Sequence, residues 1–424
     1  MDLRLASCNL GVLPEFLRTQ AHLKCLDLSN NHIQGTVPKW TCAIGDGSLE
    51  FLNLSGNNFV DLERPIPYAP FLEALDLYSN NVQGEIPPQM EELRYLDLSS
   101  NGFTSINADI GDNLTSNSAN FLEQHTWKKS LSLCNATYLE ILDLDDNHFK
   151  GNIPDFLIAM TQHLGVLNAR GSNLSGVIPY RLGKACVLET LDFNGNLLQG
   201  QIPRSVANCK EYKVLDLGKN QFNDTFPCEL KSDKIILDLA FNHFNSEIIA
   251  RLILNLTLMM ARMNKSLTKP DDLHYGSIKE DYYQDELTVT FKGNDFVMEK
   301  ILTIITSVNL SNNDFHGEIT KELGKLNALT VLNLSHNSPL ANIPSLLGHL
   351  SHLESLDLSC NALNGKIPRE LAKLRTISTS TQLQSFNTSS YKGKLGLYDP
   401  PLTPKSRNRH ALELTPPAYQ EELH

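Results

Sequence analysis

Three groups of residues have the types and spacing to do chemistry. Asp143, Asp145 and Asp146 stand together. His349 and His352 lie three residues apart, a spacing that a metal pair could use. Eight cysteines are scattered through the chain. None of these groups makes a reaction centre. Asp143 belongs to a column that repeats as Asp27, Asp76, Asp97, Asp192, Asp216, Asp238 and Asp357, with Asn53, Asn168, Asn309 and Asn333 in the other copies. A position filled this often is a scaffold position, not a carboxylate pair tuned for acid–base work. The two histidines have no third ligand nearby and read as exposed loop residues. No Cys-x-x-Cys occurs, so metal binding by cysteine is not expected. Cys209 and Cys228 flank one copy of the repeat, and a bridge between them stands against buried free thiols as the alternative. The expectation is a chain without catalytic residues, metal or cofactor.

What remains is position, and position comes from a repeat. The residues from Leu23 to Pro38 follow L-x-x-L-x-L-x-x-N-x-L-x-G-x-I-P. The pattern restarts at Leu49, Leu72, Leu93, Leu139, Leu164, Leu188, Tyr212, Lys234, Ile305, Leu329 and Leu353. A fixed period of this length is the mark of a solenoid. Alternating leucines such as Leu26 and Leu28 point to one face of a short strand. Stacked strands form a parallel sheet over a continuous core. The asparagine that follows (Asn31, Asn57, Asn80, Asn101, Asn147, Asn196, Asn220, Asn242, Asn313, Asn337 and Asn361) is expected to bond backbone groups of adjoining copies. Glycine then permits a tight turn, and Ile-Pro fixes an extended segment behind the sheet.

Composition agrees with a soluble scaffold. Hydrophobic residues make up 41% of the chain and the formal charge is −12, which argues against nucleic acid as a partner. The start of the chain carries no apolar run of the kind a secretory leader needs. No stretch reaches the roughly 18 apolar residues of a membrane helix.

The side chains free to recognise a partner are those on the open face of the sheet, at the second, fourth and sixth places after each first leucine. The sixth place is usually serine, but departs at Tyr78, Asp145, Arg170, Asn194, Gly218 and Ala240. Five of these six lie in the five copies preceding the largest interruption. The second place there is Ile141, Val166, Thr190, Val214 and Ile236. An apolar strip beside a few polar groups suits a peptide or small amphipathic ligand. The expected ligand surface is therefore Tyr78, Ile141, Asp145, Val166, Arg170, Asn194, Val214 and Ile236. Neutral drift at a tolerant position explains the same departures equally well.

The Gly-x-Ile-Pro step resembles the plant-specific extracellular leucine-rich repeat of receptor-like kinases, receptor-like proteins and polygalacturonase-inhibiting proteins. The resemblance covers roughly residues 1–402. It implies an α/β solenoid, a right-handed superhelix with a parallel sheet on its concave face. Repeats would fill 1–248, with one degraded copy near 107–138, and resume over 302–374. The degraded copy would either keep its place in the stack or bulge from it. Ser172 replaces one ladder asparagine, which would loosen that rung, and Pro339 replaces a core leucine. Residues 249–301 resemble the non-repeat island of receptor-like proteins, with a strand at 288–291 and with Tyr282, Tyr283 and Phe291 as candidate contacts. Polygalacturonase-inhibiting proteins have no island. Residues 375–402 resemble a terminal cap, but Tyr398 and Asp399 stand where the family has cysteine and glycine. Residues 403–424 read as a disordered tail.

The resemblance implies a plasma-membrane or extracellular ligand-recognition ectodomain in defence or developmental signalling. Its partners would be a peptide or protein ligand and a co-receptor kinase. The chain reads as truncated at both ends, with no leader and no membrane helix of its own. The alternatives are a secreted inhibitor of a cell-wall-degrading enzyme and a truncated product without function. Candidate glycosylation sites are Asn113, Asn135, Asn223, Asn255, Asn264 and Asn387. Further sequons at Asn53, Asn173, Asn309 and Asn333 lie within the repeats.

Overall fold

In a computed structural model, residues 1–64, 69–86, 93–105, 138–180, 182–225, 236–247, 287–291, 294–298, 305–340, 342–374 and 396–398 are described. Each copy of the leucine pattern yields a three-residue strand, because only x-L-x lies between the two turns of the repeat. Thirteen such strands pair in parallel, in chain order, in one sheet. They comprise the twelve full copies and Asp2–Arg4 at the start. The register is uniform. Leu3, Leu26, Leu52, Leu75, Leu96 and Leu142 align through successive rungs, and so on to Leu356. These leucines and the next inward pair, such as Leu28, Leu54 and Leu144, are buried in a single continuous core.

The asparagines close the turn after each strand as expected. Asn57 is typical: its Nδ2 donates to the carbonyls of Leu28, Leu54 and Ser55 at 3.0, 3.0 and 3.1 Å. Its Oδ1 accepts the N–H of Ile33 in the preceding rung at 3.0 Å. One side chain thus satisfies backbone groups that two rungs bury together. Ser172 cannot do this, and its buried hydroxyl has no hydrogen-bond partner. Pro339 takes the leucine's place in the core and is buried.

Behind the sheet, Gly-x-Ile-Pro turns the chain. Gly176 shows why glycine is needed: its φ is +76°, and a Cβ there would lie 2.4 Å from Asn152 Oδ1. Short strands flank these glycines and form a second, lateral sheet, including a four-stranded run from Lys150–Asn152 to Gln221–Phe222. Proline then sets the entry to a short 3-10 turn, with Pro14, Pro38, Pro203, Pro344 and Pro368 at the N-cap. The helical share of the expected α/β fold is therefore small. Among the described residues the one α-helix is Asp155–Ala159, and none is long and apolar enough to cross a membrane.

Three expectations need correction or completion. No degraded copy stands in the stack between residues 105 and 138. Tyr95–Asp97 pairs directly with Ile141–Asp143, and Asn147 Nδ2 reaches the Leu98 carbonyl at 2.9 Å. Strands about 4.8 Å apart leave no room for another. The residues between, 106–137, lie outside the described ones. The island likewise leaves the sheet unbroken, since Ile236–Asp238 pairs directly with Ser307–Asn309. The rungs on either side of both interruptions pair residue for residue, so stacking never loses register. Finally, Cys209 bridges to Cys186, with Cα atoms 4.7 Å apart. These two are 23 residues apart in sequence, about one repeat period, so rung stacking itself brings them together. Cys228 lies outside the described residues, as do the tail 403–424 and, apart from Gly396–Tyr398, the cap 375–402. Gly396–Tyr398 pairs with Asn364–Lys366 at the end of the lateral side.

Candidate functional site

Each strand presents its odd side chains to the concave face, and the aspartate column is the middle one. Its first oxygen accepts the N–H two residues on: Ser29 from Asp27, Ser99 from Asp97, Asn194 from Asp192, Ser359 from Asp357, each at 2.8 to 2.9 Å. Asparagine does the same at Asn53 and Asn333. The column is a ladder of side-chain turns that ends each strand. Among the described residues no group of three or more metal-ligating side chains is present. His349 and His352 are both exposed, and His352 Nδ1 sits 2.8 Å from the Asn327 carbonyl oxygen.

Stacking carboxylates at rung spacing has an electrostatic cost. Burial, then the charge of Asp97, pushes the Asp76 carboxyl up to about 8. Burial, then Asp216, does the same to Asp238, again to about 8. Asp216 is also raised, by burial, against the Asn194 amide, the Gly218 N–H and Arg170 that favour its charge. The sign of the consequence is fixed. A carboxyl raised above its unfolded value of about 3.9 binds its proton more tightly in the folded chain. Stability is then greatest at the acidic end and declines as pH rises from about 4 towards about 8. Thermal unfolding should show a lower midpoint at pH 8 than at pH 5.5, and Asp238→Asn should flatten that slope. A midpoint that rises over this interval would refute the assignment.

The island returns to this concave face. Its hairpin pairs Leu287–Phe291 with Asn294–Met298 in antiparallel register. The strand expected at 288–291 is thus present. Leu287 and Val289 point down and pack with Val214, Ile236 and Val331, with Met298 and Ile305 at the margin. Thr288, facing the other way, accepts a hydrogen bond from Arg170 Nη2 at 2.7 Å. Burial works against the Arg170 charge, but Asp192, Asp145, Asp216 and Asp146 outweigh it and hold its pKa above the ordinary arginine value.

This seat explains most of the departures from serine. Arg170 holds the hairpin. Asn194 donates to Asp216 Oδ1 at 2.9 Å, passing over Gly218. A Cβ on Gly218 would come within 2.7 Å of that amide nitrogen, so a larger residue there would push the Asn194 amide aside. Ala240, buried, follows on the rung of Ile236. The signal was present in the sequence: two very small residues at an outward-facing position just before an insertion mark a covered surface.

The expected ligand residues therefore divide. Val214 and Ile236 lie under the hairpin, with 0% and 4% of their surface exposed. Ile141 and Val166, at 1% and 0%, join a separate row with Cys25, Phe51, Ala74 and Tyr95. None of these four offers open apolar surface: the hairpin covers the first two, and column neighbours close over the other two. Asn194 is buried in the carboxylate network, while Asp145 and Arg170 are half-buried. Tyr78 alone projects, 42% exposed, away from the seat. Phe291 ends the inner strand of the hairpin; Tyr282 and Tyr283 lie outside the described residues. Sequence reasoning missed Leu287 and Val289, the residues that dock the island, and the outer-strand pair Phe296 and Val297, both more than half exposed. Alternation over 288–291 was legible, but which face meets the sheet was not.

Comparison with known proteins agrees with this architecture. A family model described as Leucine Rich Repeat matches residues 22–44, 48–68, 92–114, 138–160, 187–209 and 352–374. Receptor-like protein 35 of Arabidopsis thaliana is 32% identical over 352 residues, covering 77% of this chain and 33% of its own length. Receptor-like protein 34 of the same plant is 33% identical over 352 residues, covering 77% and 32%. The chain thus spans about a third of the length of the curated relatives it matches. Among solved structures, the LRR ectodomain of the Arabidopsis thaliana receptor kinase GASSHO1/SCHENGEN3 superposes with a TM-score of 0.65 at 24% identity, over 93% of this chain and 38% of that one. The ectodomain of the Arabidopsis receptor kinase HAESA, in complex with an IDA peptide hormone, gives 0.52 at 25% identity, over 93% and 66%. The sequence relatives are receptor-like proteins, and the part of each receptor kinase that superposes is its LRR ectodomain, not its kinase. By repeat, fold and ancestry the chain is a leucine-rich-repeat protein of the plant receptor-like kind, homologous to the receptor-like proteins of Arabidopsis thaliana.

Proposed function

We propose that the chain is a ligand-recognition segment of a plant cell-surface receptor-like protein, acting in defence or developmental signalling. One observation carries the reading: the island hairpin is seated on the concave sheet, so insertion and solenoid form one composite surface. A scaffold that served only to stack would have no use for this covering element. The HAESA ectodomain, a structural neighbour, binds the IDA peptide hormone and the co-receptor SERK1. By analogy the ligand here is a peptide or protein, and the second partner is a co-receptor kinase.

The ligand surface shifts from the buried strip to what the structure leaves open: the outer strand around Phe296 and Val297, the half-buried Asp145, and Tyr78. The test is retention of synthetic plant peptide hormones on the immobilised chain. At least one peptide should bind the wild type and bind at least tenfold more weakly after Arg170→Ser with Asp145→Ser. Retention of no peptide, or equal retention by both proteins, would overturn the reading.

A further inference from the structure

The sequons within the repeats look alike in sequence but fall into two physical classes. Asn309 and Asn333 come from the strand sequences Val-Asn-Leu-Ser and Leu-Asn-Leu-Ser and point into the concave column. They are 4% and 5% exposed. Their Oδ1 atoms accept from the N–H and hydroxyl groups of Ser311 and Ser335. Asn309 also spends its Nδ2 on Asp238 Oδ2, at 2.8 Å. A sugar on that nitrogen would remove a donor from a buried carboxylate and have no room to leave the sheet.

Asn173 and Asn223 differ in every respect. Asn173 opens the lateral-sheet strand Asn173–Gly176 and Asn223 directly follows the strand Gln221–Phe222, each beside an inward-pointing core residue, Leu174 or Phe222. Alternation along the strand turns both asparagines outward, and both are exposed. Their backbones are already anchored: Asn173 N–H donates to the Phe149 carbonyl at 2.9 Å and Asn223 N–H to the Gly200 carbonyl at 3.0 Å. Among the described residues neither side-chain amide is engaged in a hydrogen bond. The two sites stand two rungs apart, about 10 Å along the stack.

We propose that Asn173 and Asn223 carry N-linked glycans, that Asn309 and Asn333 do not, and that the lateral-sheet flank over residues 173–225 is therefore sugar-covered and closed to protein partners. In the step, Nδ2 of asparagine attacks C1 of the first sugar of a lipid-diphosphate-linked oligosaccharide. The N–C1 bond forms and the C1–O bond breaks. The lipid diphosphate leaves with the electron pair, and the amide gives up one proton. The proposal rests on the cell-surface reading for its occurrence in the plant, but the site choice is testable separately by supplying the route.

The full chain is expressed in plant cells behind a cleavable secretion signal, and the secreted protein is deglycosylated enzymatically in heavy-oxygen water. Peptides covering Asn173 and Asn223 should show conversion to labelled aspartate in the majority of molecules. Those covering Asn309 and Asn333 should show none. Ser175→Ala and Thr225→Ala keep the asparagines but break the sequons, and each should remove one glycan's mass without changing the unfolding midpoint. Unmodified Asn173 or Asn223 in secreted protein, or sugar on Asn309 or Asn333, would overturn the assignment. If the peptide-retention experiment fails while these sites are occupied, the function falls and the glycan assignment stands.

Discussion

Replacing Asn220 with leucine should destabilise the central rungs by about 3 kcal/mol or more. Asn220 Nδ2 donates to the carbonyls of Phe193, Leu217 and Gly218 at 2.8, 3.3 and 2.9 Å, and its Oδ1 accepts the Leu198 N–H at 3.0 Å. Leucine has nearly the same shape, so packing is kept and four backbone groups lose their partner. Each unsatisfied buried group costs about 1–3 kcal/mol, softened where a carbonyl retains another bond. Because rungs contact only their neighbours, the loss should appear in denaturant as an early transition of the central rungs, not as a uniform shift. The reverse experiment is already set up at Ser172, whose buried hydroxyl is unpartnered. Ser172→Asn restores the ladder and should add about 1–2 kcal/mol. An Asn220→Leu chain that unfolds like the wild type would show that the ladder is not what holds the rungs together.

Val289→Asp should free the island hairpin while leaving the solenoid folded. Val289 is buried in one cluster with Leu287, Val214, Ile236 and Val331. Loss of that buried side chain removes about 1.5–3 kcal/mol, and a carboxylate in its place adds a desolvation cost. Leu287 beside it, Met298 at the margin and the hydrogen bond from Arg170 to Thr288 also hold the hairpin. Backbone amides of 287–291 and 294–298 should then exchange at least tenfold faster with deuterium, with the strand amides of the main sheet unchanged. Arg170→Ser should give the same pattern more weakly, and Tyr78→Ser should give none. Unaltered protection of the hairpin in Val289→Asp would mean that the concave seat is not its anchor.

The contrast between these two predictions shows what the sequence could reveal. Every full rung was legible, because one leucine spacing recurs and each copy obeys the same local physics. Asn57 and Asn220 make the same kinds of bond for the same reason. Whether the gap before Leu139 held a rung in the stack or a bulge stayed open in the sequence, because arithmetic on the gap cannot distinguish them; the pairing of Tyr95–Asp97 with Ile141–Asp143 does so. The Cys186–Cys209 bridge was within reach by the same periodicity, had the cysteines been compared in phase with the repeat. The site was less legible. Val214 and Ile236 were correctly placed on the concave face, yet what lay above them depended on a segment some fifty residues later in the chain. Arg170 was singled out as a ligand residue, and its hydrogen-bond partner proved to be the protein's own Thr288.

The direct pairing of the rungs on either side of each interruption has a consequence for how such a protein can vary. Tyr95–Asp97 pairs with Ile141–Asp143, and Ile236–Asp238 with Ser307–Asn309, so the rungs stay bonded to each other whatever stands between them in sequence. The closure of each excursion is already enforced by the stack, so its length enters the free energy only logarithmically, and doubling it costs about 0.6 kcal/mol. The interrupting segments can therefore be lengthened, shortened or exchanged at little cost to the spine that carries them. Change in those segments and selection on folding of the spine then act on separate stretches of the same chain.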